Sequence, residues 1–170
     1  MTPTKKQYGT VTGPHPRTVQ VGMNILKDGG NAIDAAIAIA ASLNVTEPLR
    51  SGIGGDGYIM IYLKETGNVS VINATGAAPY AATLEQYSQG IPMKGILSTS
   101  VPGLLRGWSE AHQKYGRLKL GEVLDPAIDL AQNGFPVSHV LARAIANDPL
   151  LQEFPTSKAV FTRKGRSLLP

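Results

Sequence analysis

From Ala32 to Leu43 the chain is nearly all Ala, Ile and Leu, and Asp34 is the only charge in the segment. Residues of this kind favour helix, and a helix that is apolar on every side is a buried one. Its start is marked. Asn31 suits an N-cap, and Asp34, three residues on, places an acid where the helix N-terminus favours one. Before it, Val19, Met23 and Leu26 recur at helical spacing between Arg17 and Lys27, following the prolines at 14 and 16. Gly29-Gly30 ends that first helix, because glycine accepts the left-handed conformation of a helix C-cap.

After Glu47-Pro48-Leu49-Arg50 comes a glycine-rich turn, Ser51-Gly52-Ile53-Gly54-Gly55-Asp56-Gly57. Tyr58 to Leu63 reads as a strand apolar on both faces, as a strand inside a sheet would be. Lys64 to Asn68 turns the chain, and Val69 to Asn73 returns as its partner. A short helix is expected at Thr83 to Gln89. A better one runs from Pro102 to Tyr115, with Leu105, Trp108, Ala111 and Tyr115 on one side. Leu120 to Gln132 and Ser138 to Ala146 are two more, separated by the helix stop Asn133-Gly134-Phe135-Pro136. With 170 residues, 42% of them hydrophobic, residues 1–170 suit a single domain. The 19 glycines and 12 prolines fall between apolar segments, as in an ordered, turn-rich protein. The expected class is α+β, with a buried hairpin that needs a larger sheet to join.

A net charge of +4 raises the question of a nucleic-acid partner. The distribution argues against one. Lys and Arg are scattered, the densest run is Arg163-Lys164-Gly165-Arg166, and no aromatics interleave with it to stack on bases. That run reads as a solvated turn. The longest apolar run, Ala35 to Ala41, is far short of the roughly 18 residues of a membrane span, so no membrane partner is expected. Met1 to Gln7 opens no hydrophobic stretch, which leads to the expectation of a cytoplasmic product. Without cysteine, disulfides, thiolate metal sites and cysteine nucleophiles are excluded.

The glycine turn invites a phosphate-binding reading, since bare backbone N–H groups can approach an anion closely. A dinucleotide fingerprint, however, has a strand before the glycines and a helix after them. Here a helix precedes and a strand follows, so close packing of backbone on backbone is the better reading. His15, His112 and His139 stand at no ligand spacing from one another, and neither a metal nor another cofactor is expected. His15 reads as a locally bonded loop residue, the other two as surface or boundary residues on helices. No Ser or Thr lies in a Gly-x-Ser-x-Gly or Ser-x-x-Lys pattern, and no catalytic residue is assigned. Ser98-Thr99-Ser100 reads as a set of hydroxyls capping the helix that follows. Residues alone thus lead to an α+β domain with a tight glycine turn, and not to a reaction.

A resemblance goes further. Gly29-Gly30-Asn31-Ala32-Ile33-Asp34-Ala35-Ala36, then Glu47-Pro48 and Ser51-Gly52-Ile53-Gly54-Gly55, are similar in order and spacing to the N-terminal region of the gamma-glutamyltranspeptidase family. Pro14-His15-Pro16, Ala78-Pro79 with Ala82-Thr83, Val101-Pro102-Gly103, Tyr115-Gly116 and Asn133-Gly134-Phe135 continue the match over nearly the whole chain. The resemblance implies the four-layer αββα sandwich of the N-terminal nucleophile hydrolases. It also implies a precursor that cuts itself in two, so that the new N-terminal Thr of the second part attacks a gamma-glutamyl amide with its own α-amine as base. An oxyanion hole stabilises the intermediate, and the acyl group passes to water or an amine. Nothing in this chain matches the Thr-Thr-His start of that second part. The chain then corresponds to about half of the large subunit, its partners being the rest of the precursor and a small-molecule amide.

Two departures bear on substrate. The family's large subunit supplies an Arg-Glu pair at the end of the second hairpin strand, where the Arg grips the substrate α-carboxylate. Thr75 and Gly76 stand at those places, so they are the substrate-binding candidates, and a grip weaker by roughly ten- to hundredfold is expected. Thr75 reads either as a neutral donor in the pocket or as a β-branched strand end. Asp56 replaces a usual glycine, and with the missing Arg it resembles the cephalosporin-acylase-like branch. It reads either as a pocket carboxylate for an ammonium group or as a turn residue accepting from nearby backbone N–H groups. The leading expectation is an amidohydrolase or acyltransferase subunit for acyl groups other than standard gamma-glutamyl. Retained gamma-glutamyl activity and a non-catalytic binding module are the alternatives. Thr75→Arg with Gly76→Glu is expected to restore gamma-glutamyl preference.

Overall fold

The structure, a computed structural model, describes residues 9–163 and 166–167. The Met1–Gln7 opening and Lys164-Gly165 of the basic run lie outside the described residues.

The first two helices form where the apolar pattern places them. Helix α1 (Pro16–Lys27) starts at His15, whose Nδ1 accepts from the Arg17 N–H at 3.2 Å. It ends at Gly29, where φ is +97°. Helix α2 (Ala32–Thr46) runs one turn longer than its apolar stretch and buries Asp34, Ala35, Ile37, Ala38, Ala41, Ser42 and Thr46. It packs against α1, against α3 (Leu104–Tyr115) and against α4 (Leu120–Asn133). Trp108 and Ala111 of α3, Val123 and Ala127 of α4, and Ile25 of α1 close the core around it.

The N-terminus of α2 is more than a cap. Asn31 Oδ1 accepts from Ile33 and Asp34 N–H at 2.9 and 3.1 Å, while its Nδ2 donates to the last carbonyl of α3, at Tyr115, at 2.6 Å. Asp34, with no exposed surface, accepts from the backbone N–H groups of Asn31 (2.9 Å), Arg117 (3.1 Å to each oxygen) and Leu118 (3.3 Å). One carboxylate thereby fastens the start of α2 to the turn between α3 and α4. His112 is half-buried beside it, with Nε2 2.8 Å from the Leu118 carbonyl and 3.9 Å from Asp34 Oδ1.

Strands β1 (Tyr58–Leu63) and β2 (Asn68–Asn73) pair antiparallel, with Ile61 opposite Ser70 and Ile59 opposite Ile72. Only one face of this hairpin is buried. Ile61 and Ile72 point into the core at 5% and 6% exposure, whereas Tyr58, Met60, Tyr62, Val69 and Val71 on the other face are all more than half exposed. The expectation of a hairpin buried on both faces is corrected accordingly: the residues are apolar on both faces, and the described chain covers one.

Three further expectations are corrected. Thr83 to Gln89 forms turns, not a helix; Leu84 is almost fully exposed, so no apolar stripe offsets the entropy of ordering so short a helix. On α3 the core position is Leu104, packed against the cluster, while Leu105 is half exposed. Both fit a spacing of three or four residues to Trp108. The hydroxyls of Ser98 and Thr99 donate backward, to the Gly95 and Ile96 carbonyls, and make no cap on α3. The chain continues through α5 (His139–Asn147), α6 (Leu150–Glu153) and α7 (Pro155–Phe161) to a two-residue pairing of β3 (Thr162–Arg163) with β4 (Arg166–Ser167). Among the described residues no helix is long and apolar enough to cross a membrane.

Removing the Asp34 carboxylate strands three partly buried N–H groups, each costing about 1–3 kcal/mol. Asp34→Ala is therefore expected to destabilise the chain by roughly 3–5 kcal/mol in urea denaturation. Asp34→Asn, which keeps one acceptor oxygen, should lose less than Asp34→Ala.

Candidate functional site

Three segments meet where β2 ends: the glycine turn at 52–57, the strand exit at 73–77, and residues 100–104 leading into α3. Backbone bonds tie them. The Ala74 N–H donates to the Gly57 carbonyl at 2.9 Å, and Val101 N–H to Ala77 at 3.0 Å. The Gly55 carbonyl accepts from both Gly103 and Leu104 at 3.3 and 3.0 Å, which satisfies N–H groups that open α3. The glycine turn thus serves a backbone-to-backbone crossing.

Glycines make the crossing possible. A Cβ on Gly76 would overlap the Val101 carbonyl oxygen, and one on Gly103 or Gly107 would strike Ala74. The expected Thr75→Arg with Gly76→Glu exchange meets this crowding at its second position. With Gly at 76, Val101 occupies the space that a side chain would need. Returning a glutamate therefore requires the 100–104 segment to move.

Asp56 is the polar centre of the junction. Its Oδ1 accepts from the Gly76 N–H at 2.7 Å and its Oδ2 from the Ser100 hydroxyl at 2.8 Å. These partners are 20 and 44 residues away in sequence, so Asp56 binds backbone as expected of a turn residue, but not in its own turn. The Gly76 N–H, followed by the Ser100 hydroxyl, holds its carboxyl below the ordinary 3.8. Thr75 is exposed, and both its N–H (2.9 Å) and its hydroxyl (2.6 Å) donate to Asn73 Oδ1. The hydroxyl proton is committed within the turn. In this arrangement Thr75 offers lone pairs to a neighbour.

A cavity of about 630 Å³ lies elsewhere, between Thr10–Thr12, Gly29–Ala32 and Arg117, and no residue of the three-segment junction lines it. A groove of about 430 Å³ runs between α2 and β1, lined by Ile33, Ile37, Met60 and Trp108 among others. The cavity has Lys27 and Arg117 among its lining residues and no acid, and the groove is lined mainly by apolar residues together with Tyr58 and Tyr62. The junction around Asp56 is the chemically differentiated place. Among the described residues no group of three or more His, Asp or Glu side chains converges as a metal site. His15 caps α1, His112 is spent at the α3–α4 turn, and His139 is exposed on α5; the structure brings none of them to the junction.

Comparison with known proteins decides the relationship. The family model described as Gamma-glutamyltranspeptidase matches residues 18–170. The chain belongs to the gamma-glutamyltranspeptidase family. It is 40% identical over 169 residues to the glutathione hydrolase proenzyme of Bacillus subtilis, covering 94% of this chain and 29% of the relative. The crystal structure of Helicobacter pylori gamma-glutamyltranspeptidase superposes with a TM-score of 0.85 at 34% identity, over 95% of this chain and 48% of that one. Cephalosporin acylase from Bacillus halodurans gives 0.73 at 32% identity, over 96% and 33% respectively. The chain thus spans less than a third of the curated relative, and its α+β architecture is that of part of an N-terminal nucleophile hydrolase.

Gly76→Ala is expected to destabilise the chain by about 3 kcal/mol or more, since backbone, not a flexible side chain, blocks the methyl. Thr75→Ala should change stability by less than about 1 kcal/mol, because Thr75 is exposed. Thermal denaturation of both variants checks the contrast. For Asp56 the folded value is lowered from 3.8, so its bonds contribute fully above that pH and are lost as pH falls through the lowered value. An NMR titration should show the Gly76 amide shift following the Asp56 carboxyl, with a midpoint below 3.8.

Proposed function

We propose that this chain is the N-terminal portion of the large subunit of a self-processing amidohydrolase or acyltransferase. The observation that carries the reading is the family match over residues 18–170, together with relatives named as glutathione hydrolase, gamma-glutamyltranspeptidase and cephalosporin acylase. In the complete protein, a Thr exposed by cleavage attacks the amide carbonyl through its hydroxyl oxygen, its α-amine taking the hydroxyl proton. The tetrahedral oxyanion collapses, the α-ammonium returns the proton to the leaving amine, and an acyl-Thr ester remains. Water or an amine then takes the acyl group and regenerates the Thr.

Within this scheme, 73–77 is the turn facing the acyl group, with Thr75 and Gly76 where the family's Arg-Glu pair would stand. Neither supplies a cation. A free α-carboxylate bound there would lose water without a matching charge, a cost on ground and transition state alike. The reading is therefore an enzyme for acyl groups other than gamma-glutamyl. The bare hairpin face of Tyr58, Met60, Tyr62, Val69 and Val71 supports a partner role for the rest of the precursor, which would lie over it.

The 170-residue chain alone should release no p-nitroaniline from gamma-glutamyl-p-nitroanilide above a control lacking protein. The complete protein, by mass spectrometry, should appear as two fragments with a Thr opening the second. Its kcat/KM should be at least as high for a plain or aromatic acyl anilide as for the gamma-glutamyl one. An intact, uncleaved precursor without turnover would favour a non-catalytic module instead. Strong gamma-glutamyl preference would mean that another residue supplies the cation.

A further inference from the structure

The charged side chain at the junction that stays available to a ligand is an acceptor, the Asp56 carboxylate; the Asn73 amide, whose Oδ1 accepts from Thr75, is the neutral donor beside it. The Asp56 carboxylate spends one lone pair of each oxygen, on Gly76 N–H and Ser100 Oγ, and each oxygen keeps another. Thr75 has given its hydroxyl proton to Asn73 and presents only oxygen lone pairs. The Gly76 and Thr75 N–H groups, two donors that could have met an anion here, are consumed by Asp56 and Asn73. None of the ion pairs among the described residues involves Asp56. Its charge therefore stands unneutralised at the rim, one peptide unit from Thr75.

We propose that the Asp56–Thr75 rim is an acyl subsite that accepts an ammonium group and repels a carboxylate, with Asp56 as its specificity-determining residue. This rests on the reading of 73–77 as the acyl-facing turn. The substrate class that follows is an amide whose acyl group carries a cationic amine and no carboxylate. The two bonds that hold Asp56 also fix where its charge lies, because they clamp both oxygens to separate segments. An ammonium meeting it needs no reorganisation of the turn, whereas a carboxylate meets the repulsion of Asp56 and no cation, with only the neutral Asn73 amide to donate to it. Since Asp56 is exposed, the preference is moderate and shrinks as salt rises.

The test uses the complete, self-processed protein and three p-nitroanilides of nearly equal shape: 4-aminobutyryl (cationic), butyryl (neutral) and glutaryl (anionic). The wild-type kcat/KM should fall in that order, with the cationic substrate ahead of the anionic by about tenfold at low salt. Asp56→Asn retains an acceptor for Gly76 and a polar partner for Ser100 but removes the charge. It should shrink the cationic-to-anionic ratio at least about fivefold, with most of the change in KM. Asp56→Ala, which also releases the turn, should lower all three substrates. A purely structural Asp56 would leave the ratio unchanged in Asp56→Asn, and that result, or a wild-type preference for glutaryl, overturns the proposal. Turnover of all three with a flat wild-type ratio sinks this inference alone. Absence of turnover for every amide sinks the proposed function beneath it.

Discussion

A single buried carboxylate holds the described fold at its narrowest point. Asp34 has no exposed surface, and its two oxygens are shared among N–H groups from the start of α2 and from the turn after α3. Helix α2 is the element on which α1, α3 and α4 pack, so whatever fixes its first turn fixes the origin of the whole arrangement. Apolar contact alone would not do this. The inward side of α2 is Ala35, Ile37, Ala38 and Ala41, small and aliphatic, and such a surface tolerates sliding and rotation more readily than a directed bond does. Asp34 and Asn31 together remove that freedom by binding backbone at defined positions more than 80 residues away. The carboxylate is tolerated in the interior because three directed N–H groups replace its water.

How much of this was legible depended on the range of the interaction concerned. Asn31 and Asp34 announced the start of α2 through spacing alone, Gly29 announced the end of α1, and the hairpin was readable to within a residue from its apolar runs and the Lys64–Asn68 turn. Local rules govern each of these. The other role of Asp34, at Arg117 and Leu118, left no local trace, nor did the partners of Asp56 at Gly76 and Ser100. Ser98, Thr99 and Ser100 looked like caps because hydroxyls precede a helix. The N–H groups that open α3 instead donate to the Gly55 carbonyl, a group any residue would possess. Thr75 and Gly76 were singled out only by the family resemblance. Composition gives no hint that one is a committed hydroxyl and the other a place without room for a side chain.

The junction also shows how a fold can persist while its binding surface changes character. The backbone bonds joining 52–57, 73–77 and 100–104 are made by N–H and carbonyl groups that do not depend on which side chains sit at 56 and 75. The scaffold is shared with gamma-glutamyltranspeptidase and cephalosporin acylase structures at about a third identity. Glycine at 76, 103 and 107 lets the segments approach closely, and the same closeness leaves the polar identity of the rim to Asp56, Asn73 and Thr75.

The one-sided hairpin has a consequence for synthesis. The five apolar side chains of its outer face lie in water in the described chain, on a hairpin whose two strands pair only with each other. An apolar hairpin whose outer edges are unpaired among the described residues is a template for its copies on neighbouring chains. This segment is therefore the one to guard during recombinant expression, where yield becomes a matter of chaperone supply as well as of final stability.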